Sequence, residues 1–232
     1  FIDSYGGPLL NKEIQSINLI IKNKKKPVTC IIGGSKISTK IGVITSLIKK
    51  VDYLIIVGAM ANNFVKFNGN KIGKSLVELK TENIIEEIYR KANIDNCKII
   101  TPLDVAVSKD ISSNGSVKEL KEVDENDMIL DIGPKTIKKI NEIIELSKTV
   151  LWNGPAGYFE NKSFSTGTIS IAKKISNNTK KNSLISIVGG GDTVSAIKNY
   201  TNTLNFTHLS TAGGAFLEYL EGKDLPGISV LK

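Results

Sequence analysis

Arginine and histidine are almost absent from this chain of 232 residues. Among its 31 basic residues Arg90 is the only arginine, and His208 is the only histidine. Surfaces that read bases or clamp phosphates usually depend on arginine forks, so the net charge of +8 does not indicate a nucleic-acid groove. A single histidine also argues against a Ser-His-Asp site, and its position in an expected strand favours a buried packing residue. We therefore expect no nucleic-acid partner.

Cysteine and long apolar runs are scarce as well. The two cysteines, Cys30 and Cys97, lack metal-binding spacing, which is typical of reduced, buried thiols. No run approaches the roughly 20 apolar residues of a membrane span, and the N-terminus has no signal-peptide pattern. The sequence predicts a cytoplasmic protein without a membrane partner.

Two common nucleotide-binding signatures are also missing. There is no GxxxxGK[ST] sequence, and no GxGxxG follows the first expected strand. The first absence excludes a P-loop. The second argues against a nicotinamide-dependent oxidoreductase, although a fold in which strands and helices alternate would suit such an enzyme. No protein-kinase signature is present.

The most informative stretch that is present is LISIVGGGDTVSA, residues 184–196. A short apolar run reads as a buried strand, three glycines follow, and Asp192 and Thr193 begin an expected helix. Backbone N–H groups of such a turn, together with the helix dipole, favour a bound phosphate. A carboxylate beside a polyphosphate can hold Mg²⁺. A tight turn with Asp192 as a plain N-cap remains the alternative.

A second glycine turn is followed by two lysines. Lys36 and Lys40 come after the apolar run VTCIIGG and are four residues apart, so they share one face at a helix start. Two positive charges there are unfavourable for each other and for the dipole, unless an anion lies between them. Two solvated surface lysines are the alternative.

Strand and helix patterns alternate along the whole chain. We expect strands at residues 28–34, 53–57, 98–101, 127–133, 148–153, 184–188 and 207–211, and a polar surface excursion over residues 103–120. The alternation predicts an α/β fold in which helices cover both faces of a mostly parallel sheet. The glycine turns would then lie together at the carboxyl edge of that sheet, where ligands bind.

Several segments, in order, give the chain a family resemblance: GGSKISTKIGVI, IIVGAMANNF, KIGKSLVE, LDIGPKTI, LWNGPAGYFE, IVGGGDT and HLSTAGGAFLEYLEGKDLPG. Together they resemble the C-terminal, nucleotide-binding half of phosphoglycerate kinase, from about residue 4 onwards. The resemblance implies a three-layer α/β/α, Rossmann-like domain with a six-stranded sheet. It also implies reversible phosphoryl transfer between 1,3-bisphosphoglycerate and MgADP, with Mg²⁺ and ADP or ATP bound by this half.

The resemblance carries roles onto individual residues. Lys36 would contact the transferring phosphoryl group, and Gly213 and Gly214 would receive it on their N–H groups. Lys40 would hold the nucleotide phosphates, and Asp192 would take the Mg²⁺. The remaining nucleotide contacts would come from Gly34, Gly58, Leu130 and Pro155 at the adenine, Asn153 and Glu160 near the ribose and phosphates, and Gly190, Gly191 and Thr193 at the phosphates. Trp152, next to these, is expected to be a packing residue.

The chain departs from the family pattern at several positions near this site. Thr39 stands where an aspartate is usual, which removes a carboxylate beside the two lysines. Val57, Ala59 and Ala212 add methyl groups that would narrow the adenine slot or stiffen the backbone. Phe216 replaces a small polar residue, and we expect it near the phosphoryl path.

The resemblance also implies a missing half. Residues 1–22 correspond to an interdomain helix region, residues 23–232 to the nucleotide-binding domain, and the phosphoglycerate-binding N-terminal domain is absent. We therefore expect a fragment or processed product, monomeric and inactive alone. A non-catalytic adenine-nucleotide-binding module remains the alternative.

Overall fold

The computed structural model describes residues 3–21, 24–200, 203–210 and 212–231, with nine strands and nine α-helices in those ranges. The strands are β1 (Val28–Ile32), β2 (Tyr53–Ile56), β3 (Lys98–Ile100), β4 (Asp104–Ser108), β5 (Ser116–Glu119), β6 (Met128–Ile132), β7 (Thr149–Asn153), β8 (Ile185–Gly189) and β9 (His208–Leu209). The helices are α1 (Pro8–Ile21), α2 (Ile41–Ile48), α3 (Ala61–Phe67), α4 (Glu82–Ile94), α5 (Pro134–Leu146), α6 (Thr166–Lys180), α7 (Gly191–Tyr200), α8 (Gly214–Glu221) and α9 (Pro226–Ser229). Within these ranges, no helix has the length and apolarity to cross a bilayer.

Six strands form the main sheet in the order β3-β2-β1-β7-β8-β9, and every pair is parallel. The central strands are runs of β-branched and apolar residues that are buried along their whole length, as expected where helices cover both faces. The chain works outwards from β1 to β3, then returns to place β7 on the other side of β1. The order therefore reverses between β1 and β7, and crevices for ligands form at such a point.

Two hydrophobic clusters fill the two faces of the sheet. Cys30, Ile32 and Leu54 belong to one cluster, together with residues of α2, α4 and α8. Ile31 and Trp152 belong to the other, which includes residues of α5, α6 and α7. Because neighbouring residues of β1 enter opposite clusters, the sheet lies between two helical layers. The expected three-layer α/β/α arrangement with a six-stranded sheet is confirmed.

A second, three-stranded antiparallel sheet has the order β5-β4-β6. It corrects two expectations. Residues 127–133 form β6 of this sheet rather than a strand of the parallel one, and residues 103–120 contribute β4 and β5 rather than irregular loop. β4 is buried at four of its five positions, whereas the edge strand β5 has no buried position. A short apolar run such as that of β6 does not by itself distinguish a strand of a parallel sheet from one of an antiparallel sheet.

The first helix is attached to the edge of the main sheet. His208 in β9 and Glu13 in α1 are both buried, and Nε2 of the histidine lies 2.9 Å from a carboxylate oxygen of Glu13. The expected burial of His208 is confirmed, whereas the sequence contains no signal for its hydrogen-bond partner Glu13. The domain boundary expected at residues 22 and 23 lies outside the described residues.

Candidate functional site

Glycines in the left-handed region follow five of the six parallel strands. Their φ angles are +144° at Gly34, +69° at Gly58, +100° at Gly154, +92° at Gly190 and +57° at Gly213. A side chain would strain each of these turns, because residues with a Cβ rarely adopt such angles. All five lie at the carboxyl edge of one parallel sheet. The expected collection of glycine turns on a single edge is therefore present at these strands.

The turns after β1 and β7 pack backbone against backbone. A Cβ on Gly154 would lie 2.4 Å from the carbonyl oxygen of Gly33, and a Cβ on Gly33 would lie 2.5 Å from that of Pro155. The N–H of Gly33 donates to the carbonyl of Asn153 at 2.8 Å. This contact fixes the backbone where the strand order reverses.

A cleft of about 450 Å³ opens between these turns and the small sheet. Six residues expected at the nucleotide line it: Gly34, Gly58, Leu130, Pro155, Glu160 and Asp192. Several other lining residues were not predicted from the sequence, among them Asn62, Lys74, Leu76, Met128 and Tyr158. Leu130 is held against the β7 side because its carbonyl accepts a hydrogen bond from the N–H of Tyr158 at 2.7 Å. Most of the wall is apolar, which suits a flat heterocyclic ring.

Lys40 lies beside the Gly34 turn, although it is not among the residues that line the cleft. Its ammonium group donates to the carbonyl of Gly33 at 2.8 Å and to Oδ1 of Asn153 at 3.1 Å. Burial lowers the pKa of Lys40, and the negative charge of Asp192 opposes that change. Lys40 is thus a half-buried cation held by neutral oxygens, an arrangement that an anion would stabilise.

Asn153 leaves a buried donor without a partner. The residue is 5% exposed, and within the described part of the chain its Nδ2 has no acceptor. The same nitrogen lies 2.9 Å from where a Cβ of Gly190 would be. A buried, unpaired amide is costly, so it favours a ligand acceptor near the β8 turn.

The first turn of α7 contains three of the expected residues, and they differ in exposure. Asp192 and Gly191 are exposed, whereas Thr193 is fully buried. The hydroxyl oxygen of Thr193 accepts a hydrogen bond from the N–H of Gly154 at 2.7 Å. The side chain of Thr193 therefore ties the β7 turn to α7, and the exposed start of the helix faces outward.

Lys36, Gly213 and Gly214 lie on the same edge but outside the lining of the cleft. Lys36 is exposed in the connection after β1, and the two glycines stand at the start of α8, after β9. Three strand intervals separate β1 from β9, which is about 14 Å at the usual strand spacing. Asp192, after β8, lies between them in strand order.

The donor set matches one mode of magnesium binding. The described residues contain no group of three or more histidines, cysteines and acidic residues that could hold a metal. Mg²⁺ on a nucleotide usually takes one or two carboxylates, and phosphate and water oxygens complete its shell. A single exposed carboxylate at Asp192 fits that mode, and a dedicated metal cage does not.

Asp131 is a lining residue that sequence reasoning missed. It is 3% exposed, and its two oxygens accept the N–H groups of Ile132 and Gly167, each at 2.8 Å. Burial raises its pKa to about 7. An acidic residue within the apolar stretch ILDIG was the available signal.

The positions that depart from the family pattern are distributed between the core and the cleft. Val57 and Phe216 are fully buried in the two clusters, and Ala59 lines the cleft. Ala212 is half-buried, and its N–H donates to the hydroxyl of Ser210 at 3.3 Å. The hydroxyl of Thr39 donates to the carbonyl of Lys36 at 3.0 Å. Trp152 is fully buried, which confirms the expected packing role.

Comparison with known proteins identifies relatives of this chain. The sequence model of the family described as phosphoglycerate kinase matches residues 1–223. The phosphoglycerate kinase of Wolbachia sp. subsp. Drosophila simulans (strain wRi) is 45% identical over 235 residues, covering 100% of this chain and 59% of the relative. That of Orientia tsutsugamushi (strain Ikeda) is 46% identical over 233 residues, covering 99% of this chain and 57% of the relative.

Solved structures agree with the sequence relatives. Phosphoglycerate kinase from Coxiella burnetii superposes with a TM-score of 0.91 at 40% identity, over 97% of this chain and 57% of that one. The enzyme from Pyrococcus horikoshii OT3 gives a TM-score of 0.81 at 28% identity, over 97% and 56%. The chain spans less than three fifths of each of these solved chains. It belongs to the phosphoglycerate kinase family.

Proposed function

We propose that the chain binds an adenine nucleotide as its Mg²⁺ complex in the cleft beside β1, β2 and β7. The observation that carries the proposal is the unpaired amide nitrogen, Nδ2, of Asn153, next to the half-buried ammonium of Lys40. Both groups need an acceptor or an anion, and both lie where the strand order reverses. A nucleotide polyphosphate supplies both.

The residues that line the cleft support one orientation of the bound nucleotide. The apolar part of the cleft, beside Gly58 and Leu130, suits the adenine, and its other end includes the exposed carboxylate of Asp192. The phosphates would then lie over the β7 and β8 turns, near Lys40. Asp192 would hold Mg²⁺, which supplies neutralising charge to the phosphate chain when it is bound.

We further propose that this chain supplies the nucleotide-binding half of a phosphoglycerate kinase. In that reaction 1,3-bisphosphoglycerate transfers a phosphoryl group reversibly to MgADP, which gives 3-phosphoglycerate and MgATP. The protein contributes mainly position and charge. Lys36 would neutralise charge on the moving group, and the N–H groups of Gly213 and Gly214 would receive it. With one arginine and one histidine, the chain has few residues suited to a phosphoglycerate site. That site would be supplied by an N-terminal domain. We also propose that the protein is cytoplasmic and monomeric.

Calorimetric titration of the chain with ADP tests the nucleotide site. We expect MgADP to bind, and Asp192→Asn to weaken MgADP about tenfold while changing free ADP, measured with EDTA, by less than about twofold. Asp224→Asn, which removes the same charge from another exposed position, is the matched control. Equal losses for MgADP and free ADP would remove Asp192 from the metal role, and no binding of either would refute the nucleotide site.

A second experiment separates the enzyme from a non-catalytic nucleotide-binding module. The chain is mixed with a separately produced N-terminal domain of a phosphoglycerate kinase, and ATP formation is followed from 1,3-bisphosphoglycerate and MgADP. We expect turnover that neither part gives alone. Persistent inactivity, with MgADP binding intact, would favour the module.

A further inference from the structure

The segment that carries both lysines is held by a carboxylate from a distant loop. An oxygen of Glu78 accepts the N–H of Ser38 at 3.0 Å, and its other oxygen accepts the Ser38 hydroxyl. Ser38 lies midway between Lys36 and Lys40, at the start of a short 3-10 helix, Ser38–Lys40. These hydrogen bonds lower the pKa of Glu78, and the charge of Lys36 lowers it further. Glu78 is therefore ionised and faces the lysine-bearing segment.

The loop that carries Glu78 is itself anchored by buried side chains of α3. The side chain of Asn63, 3% exposed, donates to the carbonyl of Glu78 at 2.7 Å and accepts its N–H at 3.3 Å. Asn62, 1% exposed, donates to the carbonyl of Leu76 at 3.0 Å. Burying two amides is costly unless they are paired, and here the pairing fixes residues 76–78. Because α3 follows the Gly58 turn, this anchor begins at the edge of the cleft.

The hydrogen bonds between Glu78 and Ser38 matter more because position 39 is a threonine instead of the family's usual aspartate. The Thr39 hydroxyl donates to the carbonyl of Lys36 and brings no negative charge. The carboxylate that contacts the segment between the two lysines comes instead from Glu78, 40 residues along the chain. It restrains the backbone between Lys36 and Lys40 and offsets part of their mutual repulsion.

We propose that Glu78 is a positioning residue that orients Lys36 and Lys40 toward the nucleotide phosphates. The inference rests on the proposed nucleotide site and extends it to a residue outside the cleft lining. We expect its effect at the phosphate end, because the Glu78 carboxylate contacts Ser38 and Glu78 is not among the residues that line the cleft. The adenine end should therefore be insensitive to Glu78.

The test compares Glu78→Ala and Glu78→Gln with the matched control Glu86→Ala, an exposed position on α4. Titration with MgADP should show about three- to tenfold weaker binding for Glu78→Ala. Glu78→Gln keeps an acceptor for Ser38 and should lose less. Adenosine, which has no phosphates, should bind the variants and the parent chain equally by ligand-observed NMR. In a Lys36→Met background, the Glu78→Ala change should weaken MgADP binding less than it does in the parent chain, because one of the two lysines that Glu78 positions is gone.

Each outcome has one meaning. Failure of the parent chain to bind MgADP would refute the proposed nucleotide site itself. Unchanged MgADP binding in both Glu78 variants would overturn the positioning role while leaving the site intact. An equal loss for adenosine and MgADP, or an undiminished loss in the Lys36→Met background, would show that Glu78 only maintains the fold and would also overturn the inference. Melting temperatures of all variants identify any that fail to fold, and the glutamine variant then carries the comparison.

Discussion

Substitution of Asp131 by asparagine should change how the stability of the protein depends on pH. The carboxylate is almost completely buried, and its contacts are the N–H groups of Gly167, in the first turn of α6, and of Ile132. Burial raises its pKa from an ordinary 3.8 to about 7, and the two N–H donors oppose this change only in part. The folded protein therefore retains a proton on Asp131 at a pH where the unfolded chain has released it.

The sign and size of the effect follow from proton linkage. Between the two pKa values the folded state binds more protons, so the free energy of unfolding falls as pH rises. The contribution is complete below the unfolded pKa and is lost as pH rises through about 7. A shift of roughly three units corresponds to about 4 kcal/mol, of which about 3 kcal/mol is lost between roughly pH 5 and pH 8.5.

Asp131→Asn removes the titration and one hydrogen-bond acceptor. An amide nitrogen replaces one carboxylate oxygen, and an N–H group left without its acceptor costs about 1–3 kcal/mol. The variant should be less stable than the parent at pH 5 and should equal or exceed it at pH 8.5. Urea unfolding at intervals across this range, followed by circular dichroism, measures the difference between the two chains.

An exposed aspartate provides the control for Asp131→Asn. Asp224→Asn, which removes an exposed carboxylate, should leave the pH dependence as it is in the parent. A constant difference between the Asp131→Asn and parent curves from pH 5 to pH 8.5 would show that Asp131 does not titrate in this range. Burial would then not raise the pKa of Asp131 into this range.

Two further substitutions test the packing that supports the site. Gly154→Ala forces a positive φ on a residue with a Cβ and drives that atom into the backbone of Gly33; we expect at least about 3 kcal/mol of destabilisation by urea unfolding. Gly227→Ala meets no neighbour within 4 Å and should be neutral, so a similar loss there would contradict the steric explanation. Phe216→Ala should cost about 3–5 kcal/mol by the same assay, because the ring is fully buried. Val230→Ala, at an exposed position, should stay within about 0.5 kcal/mol, and a small loss for Phe216→Ala would exclude its place in the core.

The main sheet could be predicted from sequence because its signals are local. Each central strand is a continuous apolar run that ends in glycine, and each crossover helix has an apolar stripe, so the alternation needs no long-range information. Residues 127–133 were misassigned for the same reason: the run MILDI looks like a buried strand, and its antiparallel pairing with residues 104–108 depends on contacts some 20 residues away.

The site was predictable where a glycine turn or a motif marked it. Glycine turns indicated the edge of the sheet, and the resemblance indicated which side chains lie there. The hydrogen bonds of Ser38 with Glu78, and those of the buried asparagines of α3 with the Glu78 loop, join residues 14 to 40 positions apart. Polar residues such as Asn62 and Asn63 have no periodic signal of burial, because burial becomes acceptable only once their distant partners are in place.

At position 216 a phenylalanine replaces the small polar residue that is usual in the family, and the core accommodates its ring. Its ring was expected near the phosphoryl path, yet the structure buries it completely beneath β8. Gly189 makes this possible, because a Cβ at that strand position would lie 2.9 Å from the ring. Gly213 and Gly214 precede Phe216 by three and two residues and lie at the start of α8. The side chain of Phe216 is directed into the core. The bulk at position 216 is therefore accommodated by the missing side chain at position 189, and the amides proposed to receive the phosphoryl group are left uncovered by that ring.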